Sequence, residues 1–132
     1  MRVAIVIPAR LQSTRLPRKL LLDLGGKSVL RRTYEQACKA RRADSVAIAT
    51  DAEEIVEAAR SFGALAIMTG ADHQSGTERI AEAARSIDAD AIINIQGDEP
   101  EIDPRHIDAL IETQIKAGRF ASTLACPFPA DI

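Results

Sequence analysis

Apolar runs alternate with amphipathic stretches from one end of the chain to the other. Residues 3–7, Val-Ala-Ile-Val-Ile, are apolar without a break, the pattern of a short strand buried on both faces. Residues 46–49, 64–68, 90–95 and 120–126 read as four further strands. Between them lie helical patterns. Ser28 is placed to cap a helix running to about Ala40, with Val29, Leu30, Thr33, Tyr34, Ala37 and Cys38 at helical spacing. Asp51 ends the second strand and is placed to cap a helix over 52–62, whose stripe is Ile55, Val56, Ala59 and Phe62 and which Gly63 stops. Ser75-Gly76-Thr77-Glu78 has the spacing of a capping box and opens a helix to about Ile87. Asp103-Pro104 caps and starts a helix to about Lys116, before Gly118.

Strands and helices in this alternation predict an α/β fold with a mainly parallel sheet covered on both faces. In such sheets ligands sit beyond the carboxyl ends of the strands, where the strand order reverses. The loops that follow strands are therefore candidate site walls: residues 8–19, 50–51, 69–76 and 96–100. Polar residues concentrate there.

With 132 residues the chain has the length of one domain, and 46% hydrophobic with 27% charged residues is an ordinary globular balance. The net charge of -2 argues against a nucleic-acid-binding surface over the whole molecule, and the scarcity of aromatics (one Tyr, three Phe, no Trp) removes a base-stacking platform. No apolar stretch approaches the ~20 residues of a membrane span, and the first apolar run is too short for the core of a signal peptide. A cytoplasmic location is expected. Cys38 and Cys126 match no metal spacing and read as free, buried thiols.

Charge is distributed unevenly. The loop Pro-Ala-Arg-Leu-Gln-Ser-Thr-Arg-Leu-Pro-Arg-Lys at 8–19 carries Arg10, Arg15, Arg18 and Lys19, with no acid before Asp23. Arginine forks and a lysine point charge on a loop after a strand suit an anion, most simply a polyphosphate; by charge alone the same run also describes a solvated surface loop. Gly26-Lys27-Ser28 imitates the end of a phosphate-binding P-loop, but Leu21 stands where its leading glycine belongs. On the loop after the fourth strand, Asp98 follows Gly97, which would let a ligand approach the backbone, and precedes Glu99 and Glu101. A carboxylate there suits magnesium, which binds through one or two carboxylates plus substrate phosphates; the other reading is a turn carboxylate bonded to local amides. Ser75 and Gly76 open a helix whose free amides suit an anion or simply need a cap. His73 and His106 lack partners of metal-ligand spacing.

These loops together resemble the CMP-Kdo synthetases, the 3-deoxy-manno-octulosonate cytidylyltransferases. Ile7-Pro8-Ala9-Arg10, Thr14-Arg15-Leu16-Pro17 with Lys19, Ala49-Thr50-Asp51, Ala71-Asp72-His73-Gln74-Ser75-Gly76-Thr77-Glu78-Arg79 and Asn94-Ile95-Gln96-Gly97-Asp98-Glu99-Pro100 follow that family's pattern in order. The resemblance implies a three-layer, Rossmann-like nucleotide-diphosphosugar transferase domain. Residues 1–132 would be its nucleotide-binding portion, incomplete at the C-terminal side. It further implies an enzyme that couples CTP to the acidic sugar Kdo, giving CMP-Kdo and pyrophosphate for lipopolysaccharide synthesis. In that scheme the anomeric hydroxyl of Kdo attacks the α-phosphate of CTP. Arg10, Arg15 and Lys19 hold the phosphates. Ala9, Ser75 and Gly76 contact the nucleotide, Gln96 contacts the sugar, and Asp98 binds Mg2+. Full-length members are expected to be homodimers. The family has a glycine where this chain has Arg18 and a proline where it has Leu20. Its members are longer, and their further half carries a second metal-binding aspartate and much of the Kdo pocket. Two other readings stand beside this one: a cytidylyltransferase for another acidic sugar such as sialic acid, and a non-catalytic nucleotide-binding fragment.

Overall fold

The first apolar run becomes the strand β1, Val3–Ala9, and every residue of it is buried. Such a strand needs partners on both sides. In the computed structural model, which describes residues 2–10, 19–70 and 76–117, it pairs in parallel with β2 (Ser45–Thr50) and β4 (Ala91–Asn94), and β2 pairs in parallel with β3 (Leu65–Met68). The order among the described strands is β3-β2-β1-β4. The chain thus steps outward from β1 to β2 and β3, then returns past β1 to place β4 on its other side.

Among the described residues four α-helices connect these strands or follow them: α1 (Val29–Cys38), α2 (Glu53–Ser61), α3 (Gly76–Ala84) and α4 (Pro104–Ala117). Crossovers of one hand that step in opposite directions along a sheet must lie on opposite faces. The core follows that rule. Val3, Ile5, Ile7 and Ala9 of β1 pack with Leu30 and Ala37 of α1, Ile55 and Ala59 of α2, and Ile107 and Ile111 of α4. The alternate residues Ala4 and Val6 pack on the other face with Ile80 and Ala83 of α3. The period of two along β1 therefore divides the molecule into helix, sheet and helix layers.

Three of the expected caps form, while the capping box at Ser75 and the stop at Gly118 involve residues outside those described. Ser28 Oγ accepts from the Arg31 N–H at 3.1 Å at the start of α1. Asp103 Oδ1 accepts from the Arg105 N–H at 2.9 Å, with Pro104 in the first helical position of α4. The side-chain hydrogen bond from Arg105 holds the Asp103 carboxyl down at about 2, so this cap stays ionised well into acid. Gly63, at φ 80°, takes the left-handed position after α2. Its N–H bonds Arg60 O at 3.1 Å, and the Ala64 N–H bonds Ala59 O at 2.9 Å, which closes the helix end.

Three expectations are corrected. Asp51 does not cap α2: the capping position is Ala52, without a side-chain bond, and its N–H is taken by Thr50 Oγ1 at 3.2 Å. Cys38 is free but exposed, because it stands on the side of α1 away from the buried Thr33 and Ala37. The helices α1 and α3 end earlier than their patterns suggested, at Cys38 and Ala84. The expected strand over 120–126, with Cys126, lies outside the described residues. No helix among the described residues is long and apolar enough to cross a membrane.

Candidate active site

Proline decides where the sheet opens. Val6 turns its carbonyl toward β4 and accepts from the Ile95 N–H at 3.2 Å. By the two-residue period Pro8 faces the same way and has no N–H to give. The register between β1 and β4 accordingly ends at Val6 and Asn94, while β1 continues beside β2 to the pair Ala9 and Thr50. Since β1 is where the strand order reverses, the carboxyl ends of β1 and β4 form the crevice that such sheets use for ligands.

Two sequence-predicted residues meet there. Lys19 Nζ lies 3.1 Å from Asp98 Oδ2, and both side chains are 45% exposed. Their positions follow from the packing beneath them. Lys19 begins a single 3-10 turn, Lys19–Leu21, whose Leu20 is buried in the main core. A Cβ on residue 97 would stand 3.2 Å from Leu20 Cδ1 and 3.4 Å from Leu30 Cδ1. Gly97 thus lets Leu20 seat without displacement, and Leu20 belongs to the turn that begins at Lys19. On the side where a Cβ would stand, leucine side chains fill the space. From below, Thr33 Oγ1 of α1 donates to Gly97 O at 2.8 Å, and Gln36 Nε2 donates to Ile102 O at 2.7 Å. The loop carrying Asp98 is therefore fastened to α1 at both ends.

The other predicted residues are placed as follows. Arg10 follows β1 directly and is exposed. The Ala9 side chain belongs to the core, so only its backbone is available to a ligand. Gln96 is exposed and donates to the buried Asn94 Oδ1 at 3.3 Å. Gly76 is the first residue of α3. Arg15, Ser75, His73 and Arg18 lie outside the described residues. Lys27 stays out of the site: it pairs with Glu35 at 2.9 Å, and hydrogen bonds from Lys27 and then Arg31 hold the Glu35 carboxyl below its usual range. This pairing agrees with the sequence reading that Gly26-Lys27-Ser28, with Leu21 where the leading glycine belongs, is not a phosphate loop.

One residue at this edge, the last of the Ala71–Arg79 run, was given no role by the sequence reading. Arg79 of α3 is 1% exposed. Its Nη1 donates to Thr69 Oγ1 at 2.6 Å and Gly70 O at 3.2 Å, and lies 3.6 Å from Asp51 Oδ1. A signal existed: Arg79, Ile80 and Ala83 share one face of a helix, and a cation in an apolar stripe demands a partner.

For a cation the donor set is sparse but of the right kind. No group of three or more His, Cys, Asp and Glu gathers among the described residues. Asp98 already faces one positive charge, the Lys19 ammonium, and magnesium needs only one or two protein carboxylates when phosphates and water complete its shell. Asp98 fits that role, with Glu99 and Glu101 lining the same shallow depression.

A family model described as cytidylyltransferase matches residues 4–128. The chain belongs to this family. Among relatives, this cytidylyltransferase chain is 52% identical over 133 aligned positions to the 3-deoxy-manno-octulosonate cytidylyltransferase of Chloroherpeton thalassium, covering 100% of this chain and 54% of that protein. It is 44% identical to the enzyme of the same name from Francisella tularensis, covering 98% of this chain and 53% of that one. Among solved structures it is similar to CMP:2-keto-3-deoxy-manno-octonic acid synthetase complexed with CTP. That match has 42% identity and a TM-score of 0.87, over 89% of this chain and 49% of the other. A cytidylyltransferase from Leptospira borgpetersenii matches at 28% identity and a TM-score of 0.78, over 88% of this chain and 50% of that one. The expected fold and family are borne out. The chain spans about half the length of the curated relatives it matches.

Proposed function

We propose that this chain is the nucleotide-binding portion of a CTP-dependent enzyme that transfers a cytidylyl group to Kdo. The products would be CMP-Kdo and pyrophosphate, used in lipopolysaccharide synthesis in the cytoplasm. The observation that carries the reading is the Lys19–Asp98 pair at the β1/β4 crevice, in a chain 42% identical to a synthetase solved with CTP. An anion-seeking cation and a metal-seeking carboxylate side by side are what a nucleoside triphosphate with its counter-ion requires.

In this reading Arg10, Arg15 and Lys19 hold the triphosphate and neutralise the charge that grows on the departing pyrophosphate. The Ala9 backbone, Ser75 and Gly76 orient the cytidine, and Gln96 meets the acidic sugar. Asp98 would hold Mg2+, which when bound supplies further neutralisation of the phosphates. Holding nucleotide and sugar in line accounts for much of the remaining rate. The full-length protein would act as a homodimer.

Two measurements test the proposal. Calorimetry is expected to find that CTP with magnesium binds the chain more tightly than ATP with magnesium; equal affinity for the two would overturn the nucleotide assignment. Pyrophosphate release from CTP plus Kdo is expected from a chain extended to the full length of the relatives and not from residues 1–132 alone. Release from an extended chain with a different acidic sugar, and not with Kdo, would overturn the sugar assignment.

A further inference from the structure

Arg79 is the largest fully buried side chain among the described residues, and nothing in the proposed chemistry uses it. Burying a guanidinium is expensive, and an apolar residue of similar volume often serves stability as well or better. Docking α3 on the sheet does not need it, because Ile80 and Ala83 already pack there with Ala4, Val6 and Ile92. Its contacts point elsewhere. They go to residues that leave the carboxyl edge of the sheet: Asp51, immediately after β2, and Thr69 and Gly70, immediately after β3. Glu82, one turn further along α3, accepts the Gly70 N–H at 3.0 Å, so α3 holds both the carbonyl and the amide of that residue. Arg79 also leaves its Nε without a partner among the described residues, an incompletely satisfied group of the kind that native cores rarely keep for packing alone.

We propose that Arg79 is a positioning residue for nucleotide recognition: its buried guanidinium ties the first turn of α3 to the ends of β2 and β3 and so sets where the Gly76 backbone stands at the edge of the site. The inference rests on the proposed reading of Gly76 as a cytidine contact. Gly76 lies three residues before Arg79, less than one helical turn, so a shift of the guanidinium against Asp51 and Thr69 carries the helix start with it. The triphosphate side of the site, at Lys19 and Asp98, is fastened separately to α1. Loss of Arg79 should therefore impair discrimination between bases more than attraction of the triphosphate.

The test compares CTP and ATP binding, with magnesium, by calorimetry on the 132-residue chain and on Arg79→Met and Arg79→Lys, with circular dichroism melts of each. Arg79→Met is expected to remain folded while its CTP-over-ATP preference falls roughly tenfold, the lower end of what losing an outer-shell partner costs at metal sites. Arg79→Lys, which keeps the charge, is expected to recover part of that preference. A folded Arg79→Met with the wild-type preference overturns the proposal. If Arg79→Met does not fold, Asp51→Asn and Thr69→Val carry the same expectation, and wild-type preference in both overturns it. A wild-type chain that does not prefer CTP defeats the functional reading itself; a wild-type preference unchanged in the variants defeats only the role of Arg79.

Discussion

Asn in place of Asp98 is expected to leave the fold intact and to remove the magnesium dependence of CTP binding. The fold should survive because the Lys19–Asp98 pair is 45% exposed on both sides, and such pairs contribute only about 0–1 kcal/mol. The loop does not depend on that carboxylate for its shape: Thr33 holds Gly97 and Gln36 holds Ile102 through backbone carbonyls. Binding should change because Asn preserves volume and one acceptor but removes the charge that recruits a hard cation. The magnesium-stimulated component of CTP affinity should fall at least about tenfold, since losing even an outer-shell partner of a metal costs that much. Calorimetry with and without magnesium measures it, beside a circular dichroism melt. An unchanged magnesium response in a folded variant would reduce Asp98 to a turn residue.

The second large effect is expected at Gly97, through packing. A Cβ alone would meet Leu20 Cδ1 at 3.2 Å and Leu30 Cδ1 at 3.4 Å. Alanine there asks the tip of Leu20 to yield by a few tenths of an ångström, and its cost should be small. Valine adds two further methyl groups against a buried helix residue, and overpacking of that kind costs about 1–3 kcal/mol. Against a total stability of about 5–15 kcal/mol this is a clear shift in melting. The variant should also bind CTP more weakly, because displacing Leu20 displaces the adjacent Lys19 from the crevice. Wild-type melting and CTP affinity in Gly97→Val would show that the turn at Lys19–Leu21 is not held by this contact.

Local chemistry was legible where the deciding forces are local. The all-apolar run of β1, the caps at Ser28 and Asp103 and the stop at Gly63 each depend on residues a few positions apart, so periodicity and capping rules reach them. The position of Asp98 on a loop after a buried strand was readable for the same reason. Asp51 was misassigned because its nearest helix start is local, whereas its partner Arg79 is 28 positions away across the sheet edge. Cys38 sits at a helical position that the apolar spacing groups with Ala37, and only the packing of α1 shows which flank faces solvent.

The sequence by itself determined an alternating α/β chain, the identity of the loops that could form a site, and the family to which those loops belong. Hydrogen-bonding periods and turn chemistry are properties of neighbouring residues, so these features needed no partner from afar. Only the tertiary structure decided that β4 lies beside β1, because strand order is a property of how crossovers pack. That choice brings Lys19 and Asp98 together across 79 positions of chain. The tertiary structure also decided that Leu20 packs against Gly97, and that Arg79 is buried. A charged residue enters an apolar stripe at tolerable cost only where distant segments supply its partners, and here those segments are the ends of β2 and β3.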